Sequence, residues 1–587
     1  MKRAALAAAL AILFYIANRG AYQGYFSGDD IDSLAWTTIT GWDIYYEGAA
    51  SPKVSLDNFR PIGHLLYRVL GKTAGLHFPA WVAAIQALHL LNCILLWFVI
   101  RQLGLAELPA LAATLFFSFH PALFDAFWKP MFLFDLTCCA FCLAAFLCYL
   151  HGRIVLAVLA FWLAMKSKEI AIFLPVVLAA YEMFLGERKW RRLAPFFAIS
   201  LLFGTQAIWN NAAQKGPYRM QLTASSAASA AWFYAQQIFC SHWTCAGFAV
   251  LLIPAIATRE RRVFFGLAAA ALLLVPMLLF PGRAFAVYWY VPLTGIAIAL
   301  AAAASNFHQL SVFGALAIWL IFSYNHLRDY RKRELNESAE IRSYVEQAFA
   351  AAPQHPEWAA FRYDGSPPTL QSWGVLSTWK MAAGRDFHGQ RFWLEDGWHE
   401  KPLPSIPVFT WDNASRRLSI SLFDSNRTPA PFMRLADLAA IYQLGRGWHG
   451  FDRGARKLGA RATATLAPDP EASIFALAWR VDGISRAEGK LDLVVSFNGV
   501  EFGRFPCERD GEFATTWPVA KPFSQPVEMS LHVETPKLTE QLPAPEQLIW
   551  IESFGFQRAT RSPEKATKVT MDHSGRLSGE LARAAQQ

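Results

Sequence analysis

Eleven apolar stretches, at about 4–18, 81–100, 108–119, 131–150, 154–165, 170–185, 193–209, 243–257, 263–280, 288–305 and 310–327, fill most of the chain before Arg328. Runs of this kind leave a polypeptide one main option, helices that cross a bilayer, because only a helix satisfies its own backbone in lipid. Some are short against the ~20 residues of a perpendicular span. The first follows Lys2 and Arg3 and also has the outline of a signal peptide, but "IANRG" is a poor cleavage match, so a retained signal anchor is expected. A further segment, "AASAAWFYAQQIFC" at 227–240, carries two glutamines and reads as a re-entrant or interfacial helix.

Charge orients these spans. Residues 1–328 carry 23 Lys and Arg against 13 Asp and Glu, and the remainder carries 31 against 32, so the whole basic excess sits in the apolar half. That distribution serves membrane orientation, and no nucleic-acid partner is expected. The short basic loops are Lys2 and Arg3, Arg101, Arg153, "GERKWRR" at 186–192 and "TRERR" at 258–262. With eleven spans all five fall on one face, the cytoplasmic one. The other face receives the 19–80 loop, the 120–130 loop, the 210–242 segment and everything after Leu327. The expected location is a bacterial inner membrane, with these loops and the C-terminal region on the periplasmic side.

The cysteines give little chemistry. Cys93, Cys138, Cys139, Cys142 and Cys148 lie inside apolar runs as small hydrophobes, without His or carboxylate at metal spacing. Cys240 and Cys245 flank a polar turn and suit a disulfide if that turn faces an oxidising compartment.

After the last span the pattern changes. "NHLRDYRKRELNESAEIRSYVEQAF" reads as a charged helical connector, followed by a strand in "EWAAFRYDG" and a helix in "LQSWGVLSTWKMAAG". Period-two segments then recur, "IFALAWRV", "LDLVVSFNGVEFGRF" and "VEMSLHV" among them, with a hairpin signal at Asn498-Gly499. The expected architecture is a polytopic α-helical domain at 1–328, a connector helix and small mixed α/β subdomain at 329–434, a jelly-roll-like β-sandwich at 435–560 and a flexible tail at 561–587. Trp448, Trp479 and Trp517 are aromatics suited to stacking on sugar rings if they face outward, and to the core if they face inward. His449 and Asp452 in "GWHGFDRG" read as loop polars.

The outer face collects the polar residues that need explaining. "YFSGDDIDSLAW" places Asp29 and Asp30 just past the first span, as a solvated acidic turn or as a general base with a neighbour that orients the acceptor or binds a cation; Asp32 reads as a helix-start residue. "DNFRPIGHLLYRVLG" puts Arg60 at the head of an amphipathic stretch suited to a membrane surface, as a phosphate ligand or a helix-start residue. "FSFHPALFDAFWKPMFLFDL" brings His120, Asp125, Lys129 and Asp135 into one excursion, and "AMKSKEIAIFLPVV" sets Lys166, Lys168 and Glu169 at the outer mouth of two spans. Rim-lying ionisable groups are costly unless paired or occupied by a charged ligand. A phosphate-bearing lipid satisfies the cations, and a sugar hydroxyl the carboxylates.

This order of features resembles the GT-C superfamily of polytopic glycosyltransferases, which includes the protein O-mannosyltransferases, the lipid A aminoarabinose transferases and the tetratricopeptide-containing transmembrane O-mannosyltransferases. The last group agrees best in pattern. Its "HP…E…R-A-D" loop looks like His120-Pro121, Asp125 and Asp135, and its "S-K-E" looks like Ser167, Lys168 and Glu169. Its "R-Y-L-Y-L-P-S-x-G" resembles "VYWYVPLTG", which keeps Tyr288, Tyr290, Pro292 and Gly295. The resemblance covers about residues 20–300. Val287 stands where the pattern has arginine, with Arg283 nearby, Phe134 replaces the small residue before Asp135, and a β-sandwich stands where the repeats would follow.

The resemblance implies inverting transfer of a sugar from a polyprenyl-phosphate carrier to an acceptor hydroxyl on a protein, glycan or lipid. It implies Asp29 or Asp30 as base and Lys168, Arg60 and Lys129 as ligands of the carrier phosphate. Glu169 is expected to pair with a cation. His120, Asp125, Asp135 and Tyr290 complete the substrate-binding set. Members differ in using a divalent cation at the acidic loop; here Asp29 and Asp30 would be its ligands, and the sequence requires none. Rival readings are a transporter, for which paired repeats and midplane charges are missing, an intramembrane aspartyl protease, for which no second aspartate stands on a facing span, and a non-catalytic envelope glycan export or assembly protein.

Overall fold

The helical half of the chain turns many large apolar side chains outward. In the computed structural model Val155, Trp209 and Leu310 are each about four-fifths exposed, and Ile253, Ile318 and Ile321 are well exposed too. A surface of this kind is stable against hydrocarbon and not against water. The structure describes residues 2–54, 59–211, 220–221, 223–239, 243–355, 360–384, 388–391, 407–422, 429–437, 440, 443–445, 447–452, 454–459, 461–482, 491–520, 522–534 and 549–558. Cys240 and the 561–587 tail lie outside the described residues.

The chain divides into a unit of Met1–Ile341 and a unit of Arg342–Gln587. In the first, a helix occupies each of the eleven apolar stretches. Among the described residues five helices are long and apolar enough to cross a membrane: Phe78–Gln102, Pro130–Leu150, Trp190–Asn210, Arg261–Leu278 and Gln309–Gln354. Glu107–Ser118 and Pro121–Phe127 make a sixth if the pair, bent by 66°, is one span. Ile154–Met165, Thr244–Thr258 and Leu293–Ala304 are apolar and shorter. The chain is therefore an integral membrane protein. The helix Ala224–Ile238 covers most of the 227–240 segment.

One contact shows how these helices approach closely. A Cβ on Gly295 would lie 2.6 Å from the backbone of Gly266 and Ala270, and one on Gly266 would lie 2.6 Å from that of Gly295 and Ala299. Two small-xxx-small faces thus bring Arg261–Leu278 and Leu293–Ala304 together, as dispersion-driven packing in lipid requires.

The long loop after the first helix folds into three amphipathic helices, Gly28–Ile39, Trp42–Ala50 and Pro61–Ala74. Ser27 caps the first through its side chain, and Pro61 opens the third at the position where a missing N–H costs nothing.

The connector is the helix Arg328–Ala351, which runs across the boundary between the two units. The second unit begins with a four-stranded sheet of β1 (Ala360–Asp364), β2 (His388–Arg391), β3 (Pro407–Asp412) and β4 (Arg417–Leu422) in the order β2-β1-β3-β4, with β1 parallel to both neighbours. The helix Ser372–Ala383 crosses between β1 and β2 and ends on Gly384 at φ 64°.

Ten strands follow: β5 (Phe432–Arg434), β6 (Trp448–Asp452), β7 (Ala455–Leu458), β8 (Arg461–Leu466), β9 (Ile474–Val481), β10 (Leu491–Phe497), β11 (Val500–Cys507), β12 (Gly511–Pro518), β13 (Val527–Glu534) and β14 (Ile549–Gln557). They form two sheets, β11-β10-β13-β8 and β12-β9-β14-β7-β6, with β5 beside β14. The β10–β11 turn is Asn498-Gly499 at φ 49° and 82°, the double positive φ that a two-residue hairpin needs.

In this unit the tryptophans take the inward alternative, and one expectation fails. Trp448 and Trp479 are wholly buried, and Trp517 packs against the same core, so none of the three forms an outward sugar platform. Period-two alternation does not say which face is inside when both carry aromatics; in β9 the inward set is Phe475, Leu477, Trp479 and Val481. His449 and Asp452 belong to strand β6 instead of a loop, because the tight β6–β7 turn comes after them, at Gly454 with φ 76°.

Candidate active site

"FSGDD" is a capping box. Ser27 stands at the N-cap and Asp30 three residues on, and each side chain bonds the other's backbone: Asp30 N–H donates to Ser27 Oγ at 3.3 Å and Ser27 N–H donates to Asp30 Oδ2 at 2.8 Å. Ser27 Oγ also donates to Oδ2 at 2.7 Å, and the Tyr67 hydroxyl donates to Oδ1 at 2.7 Å. Asp30 is fully buried, whereas Asp29 is exposed. The acidic pair is therefore two different residues: one built into the helix start, the other presented at the surface.

With both Asp30 oxygens holding donors, this residue does not fit a resident cation, and no cluster of three or more His, Cys, Asp or Glu suited to a metal occurs among the described residues. Burial, outweighing the hydrogen bonds from Ser27 and Tyr67, pushes the Asp30 carboxyl up to about 6. A carboxyl raised in the folded state holds its proton there while the unfolded chain has released it. Stability should therefore rise as pH falls from about 6 toward 4, by at most ~2–3 kcal/mol. Thermal unfolding in detergent across that window checks this, with Asp30→Asn expected to flatten the dependence.

Tyr67 carries the contact onward. Its ring stacks on Phe134 (centroids 5.5 Å apart, planes at 15°), and His64, one turn earlier, lies 4.8 Å from the same ring. The Arg60 guanidinium sits 5.3 Å over Phe134. Phe134, the departure from the small residue of the resembling pattern, is accommodated by Gly63, where a Cβ would lie 2.0 Å from the Phe134 ring. His64 Nδ1 accepts the Arg60 N–H at 3.0 Å, and burial keeps this imidazole neutral, with its pKa down at about 4.

Two ion pairs close the cluster. Arg60 holds Glu169 through two nitrogens, Nε–Oε1 at 3.0 Å and Nη2–Oε2 at 3.2 Å. Lys168 Nζ holds both oxygens of Asp135, at 2.6 and 2.5 Å, and lies 4.9 Å from the Tyr288 ring centroid. The second pair is nearly enclosed, with side-chain exposures of 11% and 4%, while Glu169 is 59% exposed. The Lys166 carbonyl accepts from Ile62 N–H at 3.3 Å, which ties the "SKE" turn to the helix bearing Arg60 and Tyr67. Arg60 and Tyr67 are two turns apart, roughly 10 Å along the helix backbone, so one helix carries contacts to both the acidic helix start and the ion pairs.

Other predicted residues go elsewhere. Lys129 Nζ is paired with Asp125 at 3.3 Å and with Glu334 at 2.7 Å, which takes both Lys129 and Asp125 into a contact with the helix that follows the last span. His120 is fully buried; its Nε2 bonds the Ile238 carbonyl at 2.8 Å and its Nδ1 accepts from Ala122 N–H, so both ring nitrogens hold a bend between helices. Tyr290 lies in a polar zipper, its hydroxyl 2.7 Å from His89 Nδ1 and 3.1 Å from Asn92 Nδ2. His89 Nε2 lies against the Ser118 carbonyl and must donate to it, so Nδ1 accepts from Tyr290. Tyr290→Phe should cost about 1–3 kcal/mol by stripping His89 of that donor, read as a lowered unfolding midpoint in detergent.

Sequence reading did not single out Ser27, Tyr67, His64 or Glu334. The Ser-x-x-Asp spacing was a usable signal for the first. Tyr67 has none in the sequence, since 37 residues separate it from Asp30.

No family model matches the chain, and no curated protein matches it. Among solved structures it is similar to ArnT from Cupriavidus metallidurans in the apo state, at 12% identity over 70% of this chain and 93% of that one, with a TM-score of 0.46. The same ArnT bound to undecaprenyl phosphate gives 13% identity over 68% and 86%, with a TM-score of 0.39. The arabinofuranosyltransferase AftD from Mycobacteria gives 11% identity and a TM-score of 0.45, over 97% of this chain and 59% of that one. Likenesses at this level leave the activity to be argued from the site.

Proposed function

We propose that the chain is a GT-C-type membrane glycosyltransferase that moves a sugar from a polyprenyl-phosphate carrier to an acceptor hydroxyl, with inversion, on the non-cytoplasmic face. The observation that carries the reading is the convergence of four separate segments, Asp29–Asp30, Arg60–Tyr67, Phe134–Asp135 and Lys168–Glu169, through Tyr67 and Phe134. Cations able to bind an anion, brought beside a helix start that presents a surface carboxylate, suit phosphate-leaving glycosyl transfer.

In this reading Asp29 takes the proton of the acceptor hydroxyl as its oxygen bonds to the anomeric carbon, from the face opposite the carrier. The bond from that carbon to the phosphate oxygen breaks, and the developing charge on the carrier phosphate falls to Arg60, with Lys168 beneath it. Asp30 holds the helix start, and with it Asp29, through Ser27 and Tyr67. Lys129, engaged by Asp125 and Glu334, is left out of phosphate binding. The eleven-span count, the inner-membrane location with the site facing the periplasm, and the boundaries at 328, 434 and 560 belong to the same proposal. Apart from the β10–β11 hairpin, consecutive strands from β7 to β14 alternate between the two sheets, which supports a jelly-roll reading of the sandwich.

The test is to supply labelled polyprenyl-phosphate sugars to detergent-purified protein and to look for product and free carrier phosphate. Wild type should yield both. Transfer that survives neutralising Asp29 and Asp30, singly and together, would sink the assignment.

A further inference from the structure

The cations of the site arrive with their own anions. Arg60 is held by Glu169 and Lys168 by Asp135, so the four side-chain charges cancel. A phosphate meeting a neutral cluster gains little from it unless one carboxylate yields. The two carboxylates are unequal in this respect: Asp135 is nearly enclosed, with both oxygens on Lys168, whereas Glu169 is 59% exposed and opens the short 3₁₀ turn Glu169–Phe173. Releasing Glu169 to water costs little, since it is already mostly solvated. Arg60 then has its planar fork available for a phosphate in the two-point geometry it now uses for the carboxylate.

We infer that Glu169 is an internal stand-in for the carrier phosphate: it occupies Arg60 in the empty site, is displaced by the incoming phosphate, and competes with the spent carrier for Arg60 after transfer. This rests on the proposed function and adds a role for Glu169 as a residue that sets phosphate affinity. The spent carrier is a monoester with more charge than the donor diester, so it is the species a returning carboxylate does most to expel.

The experiment measures binding of inorganic phosphate and of farnesyl phosphate to the full-length protein in detergent, without any sugar donor. Glu169→Gln keeps the shape and removes the charge, and should tighten farnesyl phosphate by about fivefold or more. Glu169→Asp, which keeps the charge, should stay near wild type. Adding Arg60→Ala to the Gln variant should abolish the gain. A matching gain for inorganic phosphate supports displacement by the phosphate group alone, and a gain confined to farnesyl phosphate supports displacement by a lipid phosphate. If Gln leaves affinity unchanged or weaker with the unfolding midpoint intact, or if Gln and Asp tighten it alike, the inference is overturned. Because phosphate binding is read without sugar transfer, a loss of the transferase reading and a loss of this inference appear in different assays. In turnover, Glu169→Gln should lower KM and kcat together, as slower carrier release requires.

Discussion

Replacing Lys168 by Met is expected to lower stability by about 3–5 kcal/mol, a large effect for one surface-mouth residue. The reason is Asp135, whose carboxylate is nearly enclosed at the head of Pro130–Leu150 and has both oxygens on the Lys168 ammonium. Without that ammonium the carboxylate must stay charged in a poor solvent, take up a proton or drag the helix end toward water. Replacing both members, Lys168→Met with Asp135→Leu, should recover most of the lost stability, because an apolar pair of similar volume carries no ion-desolvation cost. On the proposed function, transfer should stay absent in the single and the double variant alike, since the cation assigned to the carrier phosphate is missing in both. Unfolding midpoints in detergent, read beside transfer, separate the structural part of the pair from its chemical part. A single variant that costs under about 1 kcal/mol would mean that the pair is solvated after all.

The second large effect is a split within the acidic pair. Asp29→Asn should cut transfer by about 10²–10⁴-fold, the usual contribution of a positioned base, and leave stability within about 0.5 kcal/mol because the side chain is exposed. Asp30→Asn should do the reverse in kind: a change in the pH dependence of stability, with transfer reduced only as far as the helix start shifts. If Asp29→Asn is silent while Asp30→Asn abolishes transfer, and the wild-type rate rises through pH 6, then the buried carboxyl is the base and the two aspartates exchange roles.

What the sequence made legible was whatever depends on local pattern. Hydropathy marks every apolar stretch that a helix occupies, and Asn498-Gly499 marks its hairpin, because both signals are carried by adjacent residues. The site was legible as a set of residues sharing one face and illegible as an arrangement. Lys168 and Glu169 are neighbours in the chain yet hold partners from different segments, Asp135 and Arg60, which no spacing rule supplies. Asp29 and Asp30 looked equivalent because a run of acids says nothing about which one faces inward. The Ser27 cap decides that, and Tyr67 completes it from 37 residues away. His120 and Tyr290 show the opposite hazard: polar residues in a membrane domain that look functional and satisfy backbone or side-chain partners across the bundle. In the sandwich, Trp448 and Trp479 lie inside because sheet pairing sets the inner face.

The measurement that bears most directly on the central claim is transfer in proteoliposomes loaded with labelled polyprenyl-phosphate sugar and an acceptor. With wild type, glycosylated acceptor and free polyprenyl phosphate should appear in equal amounts, and both should vanish when Asp29 and Asp30 are neutralised together. Uptake of solute without transfer, or undiminished transfer by the doubly neutralised protein, would contradict the assignment.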